Sequence, residues 1–237
     1  MKTFLLAAGL GSRLNPLTDQ TPKCLLPIQG KSMLEIWLSH LARCGVDEVL
    51  VNTHHLHEQV VSFASSWPSK KPKLVLSYEP MLLGSAGTLY VNQNFIKGEE
   101  RFLVCYADNL THFNVMLLNQ ILMERHQENP LGIMALHRSE EPQRCGIAVM
   151  DHIGWIREFE EKPKQPKSHL ANAGLYAFTK EVLRFLPDKI PSDIALHFIP
   201  KLLPRLLGLE IKDPLIDIGT INTYHQVNDS SFWKSET

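Results

Sequence analysis

Cysteine is scarce in this chain and shows no order. The four, at positions 24, 44, 105 and 145 of 237, form no Cys-x-x-Cys pair, so neither a disulfide framework nor a structural zinc site is indicated. Cys105 and Cys145 fall in apolar runs and read as small buried hydrophobes. That usage fits a reducing, cytoplasmic compartment. Long apolar runs are missing too: none approaches the roughly 18 residues of a membrane span. The N-terminal MKTFLLAAGLGSRL has a short apolar stretch followed at once by Arg13 and a polar loop, not a cleavage site, so it does not read as a signal peptide. Nor is there an excess of either charge. The 24 basic and 25 acidic residues leave a net of −1, which creates no field for nucleic acid. Lys70-Lys71-Pro72-Lys73 reads as a solvated loop. The expectation is a soluble cytoplasmic chain, monomer or homodimer, with no nucleic acid and no membrane as partner.

What is present is enough apolar material, 44% of residues, for one large core. Phe4–Ala8 has the composition of a buried strand. Lys31–Arg43 carries apolar residues at 33, 34, 37, 38 and 41, a helical stripe, and Gly45 suits its C-terminal cap. Strands are expected at 49–51, 73–78, 102–106, 131–136, 145–150 and 172–178. Helices are expected at 57–67, opening in the run 84–87, at 113–127, at 193–207 and at 220–234. The early β-α-β-α-β alternation predicts an α/β fold, with a mainly parallel sheet and right-handed crossovers. His54, His55 and His57 look like a metal cluster but read as loop or capping residues past a strand end.

The chemistry concentrates in Gly9-Leu10-Gly11-Ser12-Arg13. Small residues after a strand let backbone N–H groups approach an anion. Arg13 and the later Lys23 add a planar fork and a point charge, both suited to phosphate. The common nucleotide loops are disfavoured: position 14 is Leu14, not the third glycine of a dinucleotide fingerprint, and no GxxxxGK[ST] occurs. Asp108 follows the strand 102–106 at its carboxyl end, where ligands of open α/β sheets bind. Asp217 interrupts an apolar stretch, where an unpaired carboxylate is costly and a cation would relieve it.

Five motifs, in order, resemble those of the sugar-1-phosphate nucleotidylyltransferases. They are Ala8–Thr18 with Pro22-Lys23-x-Leu25-Leu26-Pro27, Glu79–Thr88, Ala107-Asp108-Asn109, Glu161-Lys162-Pro163 and Asp217-x-Gly219-Thr220. Ser12 replaces the usual Thr and Cys24 the usual Pro, and neither change removes a charge. The resemblance covers nearly all the chain. It implies a Rossmann-like nucleotide-diphospho-sugar transferase fold with a small sugar-binding lobe, a nucleotide half at about 1–130 and a sugar-phosphate half at about 131–237. No hexapeptide repeat of an appended left-handed β-helix is visible.

The resemblance also implies roles. Arg13 and Lys23 would be catalytic. Leu6, Ala8, Gly9, Gly11, Ser12, Glu79 and Gly84 would bind the nucleotide, with Gly84 near the base and Glu79 or its neighbours reading base edges. Asn109, Gly146, Glu161, Lys162 and Asn172 would hold the sugar phosphate, and Asp108 and Asp217 would share Mg²⁺ with their oxygens within roughly 6 Å. The implied reaction joins an NTP and a sugar 1-phosphate into an NDP-sugar and pyrophosphate. Residues 51–56, 82–89 and 107–109 look most like mannose-1-phosphate guanylyltransferases, pointing to GTP with mannose- or heptose-1-phosphate. The alternatives are a UTP enzyme of N-acetylmuramate- or glucose-1-phosphate type and a non-catalytic, nucleotide-sugar-binding regulatory subunit.

Overall fold

A computed structural model of the chain describes residues 1–68 and 72–230. Lys70, Lys71 and the expected helical residues 231–234 lie outside the described residues. In chain order come β1 (Lys2–Leu6), β2 (Pro27–Ile28), β3 (Lys31–Ser32), α1 (Met33–Arg43), β4 (Glu48–Thr53), α2 (His57–Ser66), β5 (Lys73–Tyr78) and α3 (Ser85–Val91). They are followed by β6 (Arg101–Tyr106), β7 (Asn109–Thr111), α4 (Met116–Glu124), β8 (Gly132–Arg138), β9 (Gly146–Met150), β10 (Ile156–Glu161) and β11 (Leu170–Thr179). The chain closes with α5 (Ile199–Leu202), β12 (Leu206–Glu210), β13 (Leu215–Asp217) and α6 (Ile221–Asp229).

The caps of α1 show why its limits fall where they do. Ser32 accepts from the Glu35 N–H at 3.1 Å, satisfying a free donor of the first turn. At the other end Gly45 adopts φ +80°, with Val46 N–H donating to Leu41 and Gly45 N–H to Ala42. That pair is a Schellman closure, and it needs a residue free to enter the left-handed region.

The central sheet is mixed. β6, β1, β4 and β5 run parallel in that order. β11 then lies antiparallel to β6, β8 and β9, with β10 beside β9 and β12 parallel to β8. Alternate residues of each strand point to opposite faces, so two apolar layers form. On one face Leu5, Val49, Val51 and Leu103 meet Leu34, Trp37 and Leu38 of α1 and Leu118 of α4. On the other Phe4, Leu50, Val104 and Phe178 meet Ala86 and Leu89 of α3 and Phe198. Each layer draws on both sides of residue 130, so the expected halves share one core. Among the described residues no helix is long and apolar enough to cross a membrane.

Three expectations are corrected. The helix over 193–207 stops at Leu202, and Leu206 and Leu207 become strand β12, paired with Gly132 and Ile133 and fully buried. Pro204 cannot donate to a helix, and burial on both sheet faces favours a strand for apolar residues here. The helix at 113–127 is confined to Met116–Glu124, and Asn114, two residues before its start, accepts from Met116 N–H at 3.1 Å. Cys145 is half-buried, not core, whereas Cys105 is buried as expected.

Gly84 shows how closely α3 is docked. Its φ is +75°, and a Cβ there would lie 2.3 Å from the Ser192 carbonyl oxygen. Gly84→Ala should therefore destabilise the fold by on the order of 2 kcal/mol and lower Tm by about 5 °C, measured by thermal denaturation.

Candidate active site

The sheet reverses its direction of growth between β1 and β6: β4 follows on one side of β1 and β6 lies on the other. Loops leaving such a switch point open a crevice. A cavity lies there, lined by Leu6, Ala7, Gly9, Lys23, Ala107 and Asp108 among others. Ala7 N–H donates to Asn52 Oδ1 at 2.6 Å, and Ala107 N–H to the Leu6 carbonyl at 3.0 Å. The strand ends are thus tied before the loops depart. β1 ends at Leu6, so Ala7 and Ala8 belong to the loop and not to the expected strand.

The loop turns sharply at Gly11, whose φ is +69° and whose missing Cβ would meet Thr18 Cγ2 at 2.8 Å. Buried Thr18 donates to the Gly11 carbonyl at 2.9 Å. His55 Nε2 lies 2.8 Å from the Thr18 carbonyl oxygen. Residues 12–14 and 23–25 then form two single 3₁₀ turns, which bring in Ser12, Arg13 and Lys23. Between the lysine and the core, the Cys24 thiol is pushed up to about 12 by burial, so it stays neutral. His54 and His57 likewise bond to a backbone carbonyl and to a threonine hydroxyl, His54 in the loop after β4 and His57 at the start of α2.

Lys23 Nζ lies 2.6 Å from Asp108 Oδ2. The Asp108 carbonyl accepts from Ile218 N–H at 2.9 Å, because β13 runs antiparallel to β7 with Asp217 opposite Asn109. Asp217 is therefore brought beside Asp108 although the two are far apart in sequence. A Cβ on Gly219 would sit within about 3 Å of both Asp217 oxygens and of Arg13 Nη2, so bare backbone lets these groups crowd together. Loss of hydration raises the Asp217 pKa, repulsion from Asp108 raises it further, and Lys23 and Arg13 pull it down. The Asp217 residue still reaches solvent at the cleft mouth. Among the described residues no cage of three or more His, Cys, Asp or Glu exists. Two hard carboxylates beside open space suit an ion that completes its shell with water and phosphate oxygens.

The remaining expected residues divide. Gly146 lies under Glu161, since a Cβ there would be 2.5 Å from Oε2. Burial raises the Glu161 pKa, Lys162 lowers it, and Asp193 raises it. Asn172 donates to the Tyr176 hydroxyl at 2.6 Å and accepts from Gly174 N–H at 3.0 Å. Asn109 donates to the Ala173 carbonyl at 2.9 Å. Lys162 is exposed, at φ +51°, with Glu161 at 3.9 Å. Two thirds of its side chain is open to solvent.

Glu79 is placed differently from expectation. It is 1% exposed, and Asn52 and Thr88 donate to Oε1 while Leu83 N–H donates to Oε2. Its carboxylate closes an internal network and is not turned outward to read a base. Sequence reasoning missed Asn52 and Thr88, the partners of this network, and Asp193. Asp193 accepts from Ser85 Oγ at 2.9 Å and caps the turns that follow, through Ala195 and Leu196 N–H. Its place just before an apolar run was a readable cap signal; nothing local marked Asn52.

The nucleotidyl transferase family model matches residues 2–231. The chain belongs to that family. Among curated members, the UTP–glucose-1-phosphate uridylyltransferase of Synechocystis sp. is 29% identical over 95% of this chain and 62% of its own length. The mannose-1-phosphate guanylyltransferase catalytic subunit beta of Drosophila melanogaster is 29% identical over 92% of this chain and 59% of its own. The chain thus spans about three fifths of the length of the curated relatives it matches. One solved structure, a "Putative Glucose-1-Phosphate Thymidylyltransferase" from Bacillus anthracis in complex with a sucrose, superposes with a TM-score of 0.85 at 26% identity. It covers 98% of this chain and 96% of its own. The nucleotidyl transferase fold expected from the motifs is the one observed.

The raised Asp217 pKa has a consequence for stability. A carboxyl whose pKa is raised in the folded state penalises folding as pH climbs from the unfolded value, fully so above the raised value, and has no effect below the unfolded value. Asp217→Asn should therefore raise the Tm of metal-free protein at pH 7, and that gain should disappear below about pH 4, as followed by thermal melts across pH in EDTA.

Proposed function

We propose that this chain transfers a nucleotidyl group from an NTP to a sugar 1-phosphate, releasing pyrophosphate, with Mg²⁺ as cofactor. The observation that carries this reading is the gathering of Arg13, Lys23, Asp108 and Asp217 at the sheet's switch point. Two cations and two carboxylates in one cleft suit a reaction whose obstacle is the repulsion between polyanions.

A phosphate oxygen of the sugar substrate attacks the α-phosphorus in line, and the bond to pyrophosphate breaks. The attacking oxygen is already anionic, so no general base is required. Backbone around Gly9 and Gly11 receives the triphosphate, Arg13 holds the leaving phosphates and Lys23 the α-phosphate. Lys162 meets the incoming phosphate, while Glu161 and Asn172 orient the sugar. Asp108 and Asp217 would hold Mg²⁺, which when bound supplies charge neutralisation across the reacting phosphates. All the charged groups named are present, which argues against a non-catalytic subunit.

Within this class the working pair is GTP with mannose- or heptose-1-phosphate, supported by the resemblance of residues 51–56, 82–89 and 107–109. A matrix of NTPs against sugar 1-phosphates, read by pyrophosphate release, tests both levels. No release from any pair would refute the activity, and release only with UTP would refute the choice of base.

Lys23→Ala and Arg13→Ala should each slow turnover by about a hundredfold, corresponding to roughly 3 kcal/mol of lost charge stabilisation, with an intact melting transition. EDTA should abolish turnover, and Mg²⁺ or Mn²⁺ restore it. Lys162→Ala should raise KM for the sugar phosphate at least about tenfold and leave KM for the NTP nearly unchanged. Equal effects on the two would assign Lys162 to the turn and not to the phosphate.

A further inference from the structure

We infer that Gln29 is a positioning residue for the phosphate and metal centre, acting by capping the C-terminal end of α6 from across the molecule. The inference rests on the function proposed above. Gln29 and Gly30 are the turn residues between β2 and β3, with φ of +51° and +88°. A two-residue hairpin turn with both φ positive favours Asn, Asp or Gly at its first position. A glutamine held there is an outlier in want of a reason.

Its side chain supplies one. Nε2 donates to the Val227 carbonyl at 3.1 Å and to that of Ser230, at the helix end where carbonyls lack partners within the helix. The Gln29 N–H donates to Asn228 Oδ1 at 2.8 Å, and the Tyr224 hydroxyl donates to the Pro27 carbonyl at 2.9 Å. Both ends of this clasp lead to the centre. Upstream of Gln29 the chain passes buried Leu26 to Lys23. Upstream of α6 it passes Thr220, which accepts from Thr223 N–H at 3.2 Å, and Gly219 to Asp217. β13 lies outside the main sheet, paired with β7 alone among the described residues. Lys23 and Asp217 therefore converge around Asp108 on one side, and Gln29 joins their segments on the other.

Two variants separate positioning from stability. Gln29→Gly removes the cap but suits the positive φ; Gln29→Glu keeps the shape but aims an acceptor at two carbonyls. Each is assayed well below its own Tm, by Mn²⁺ binding to the protein alone in electron paramagnetic resonance and by steady-state pyrophosphate release. We expect Gln29→Gly to melt close to wild type while Mn²⁺ affinity and kcat/KM for the NTP each fall about fivefold, the scale of one intramolecular hydrogen bond. Gln29→Glu should lose at least as much, and melt lower. Wild-type Mn²⁺ affinity and kinetics in Gln29→Gly would overturn the inference whatever its Tm. Absence of metal-dependent pyrophosphate release in the wild-type protein would instead refute the underlying function, and this inference with it.

Discussion

The ion pair between Lys23 and Asp108, at 2.6 Å, joins the glycine loop after β1 to the end of β6, across the point where the sheet changes its direction of growth. Both partners sit on short turns beside strand ends, Lys23 in a single 3₁₀ turn and Asp108 between β6 and β7, where its carbonyl accepts from Ile218 N–H. The pair is useful because it is not alone. Asp217 enters the same field from the far end of the chain, and Arg13 enters from the loop. Positive and negative groups in near balance let a cleft stay folded while keeping charges that a substrate or cation can engage.

Around this centre the structure uses neutral hydrogen bonds to hold charge. Buried Glu79 accepts from an amide, a hydroxyl and a backbone N–H. Such a group keeps its geometry because every donor is pre-aimed. Asn52 sits at the crossing, accepting from Ala7 and donating to Glu79, so the end of β1 and the Leu83-Gly84 loop cannot move independently. The walls of the cleft on the β1 side are set by this inner network.

Much of the fold was legible because its signals are local. The stripe of α1, Ser32 and Gly45 at its ends, and the apolar strands 49–51, 73–78 and 102–106 need no knowledge of the rest of the chain. The segment 203–207 was misread because a run of leucines looks the same in a buried strand and a buried helix; β8 decides it. The site was legible where a motif carried charge, as in Arg13, Lys23, Asp108 and Asp217. It was not legible at Asn52 and Thr88, ordinary residues that matter through partners distant in sequence, and at Asp193 only the cap was marked locally, not the bond from Ser85. Glu79 was misplaced for the same reason, since its type indicated polarity but not the direction in which it faces.

Among the described residues β11 alone is bonded to β6, β8 and β9 alike. On a ribosome this sets a sequence of events. The parallel strands β1, β4, β5 and β6 can assemble once residue 106 has emerged, but the outer edge of β6 has no neighbour until residues 170–179 follow. For that interval the nascent chain presents a row of unpaired backbone groups flanked by Phe102 and Val104. The stitch that makes the finished sheet continuous is therefore also the reason its first half is born with an open, adhesive edge.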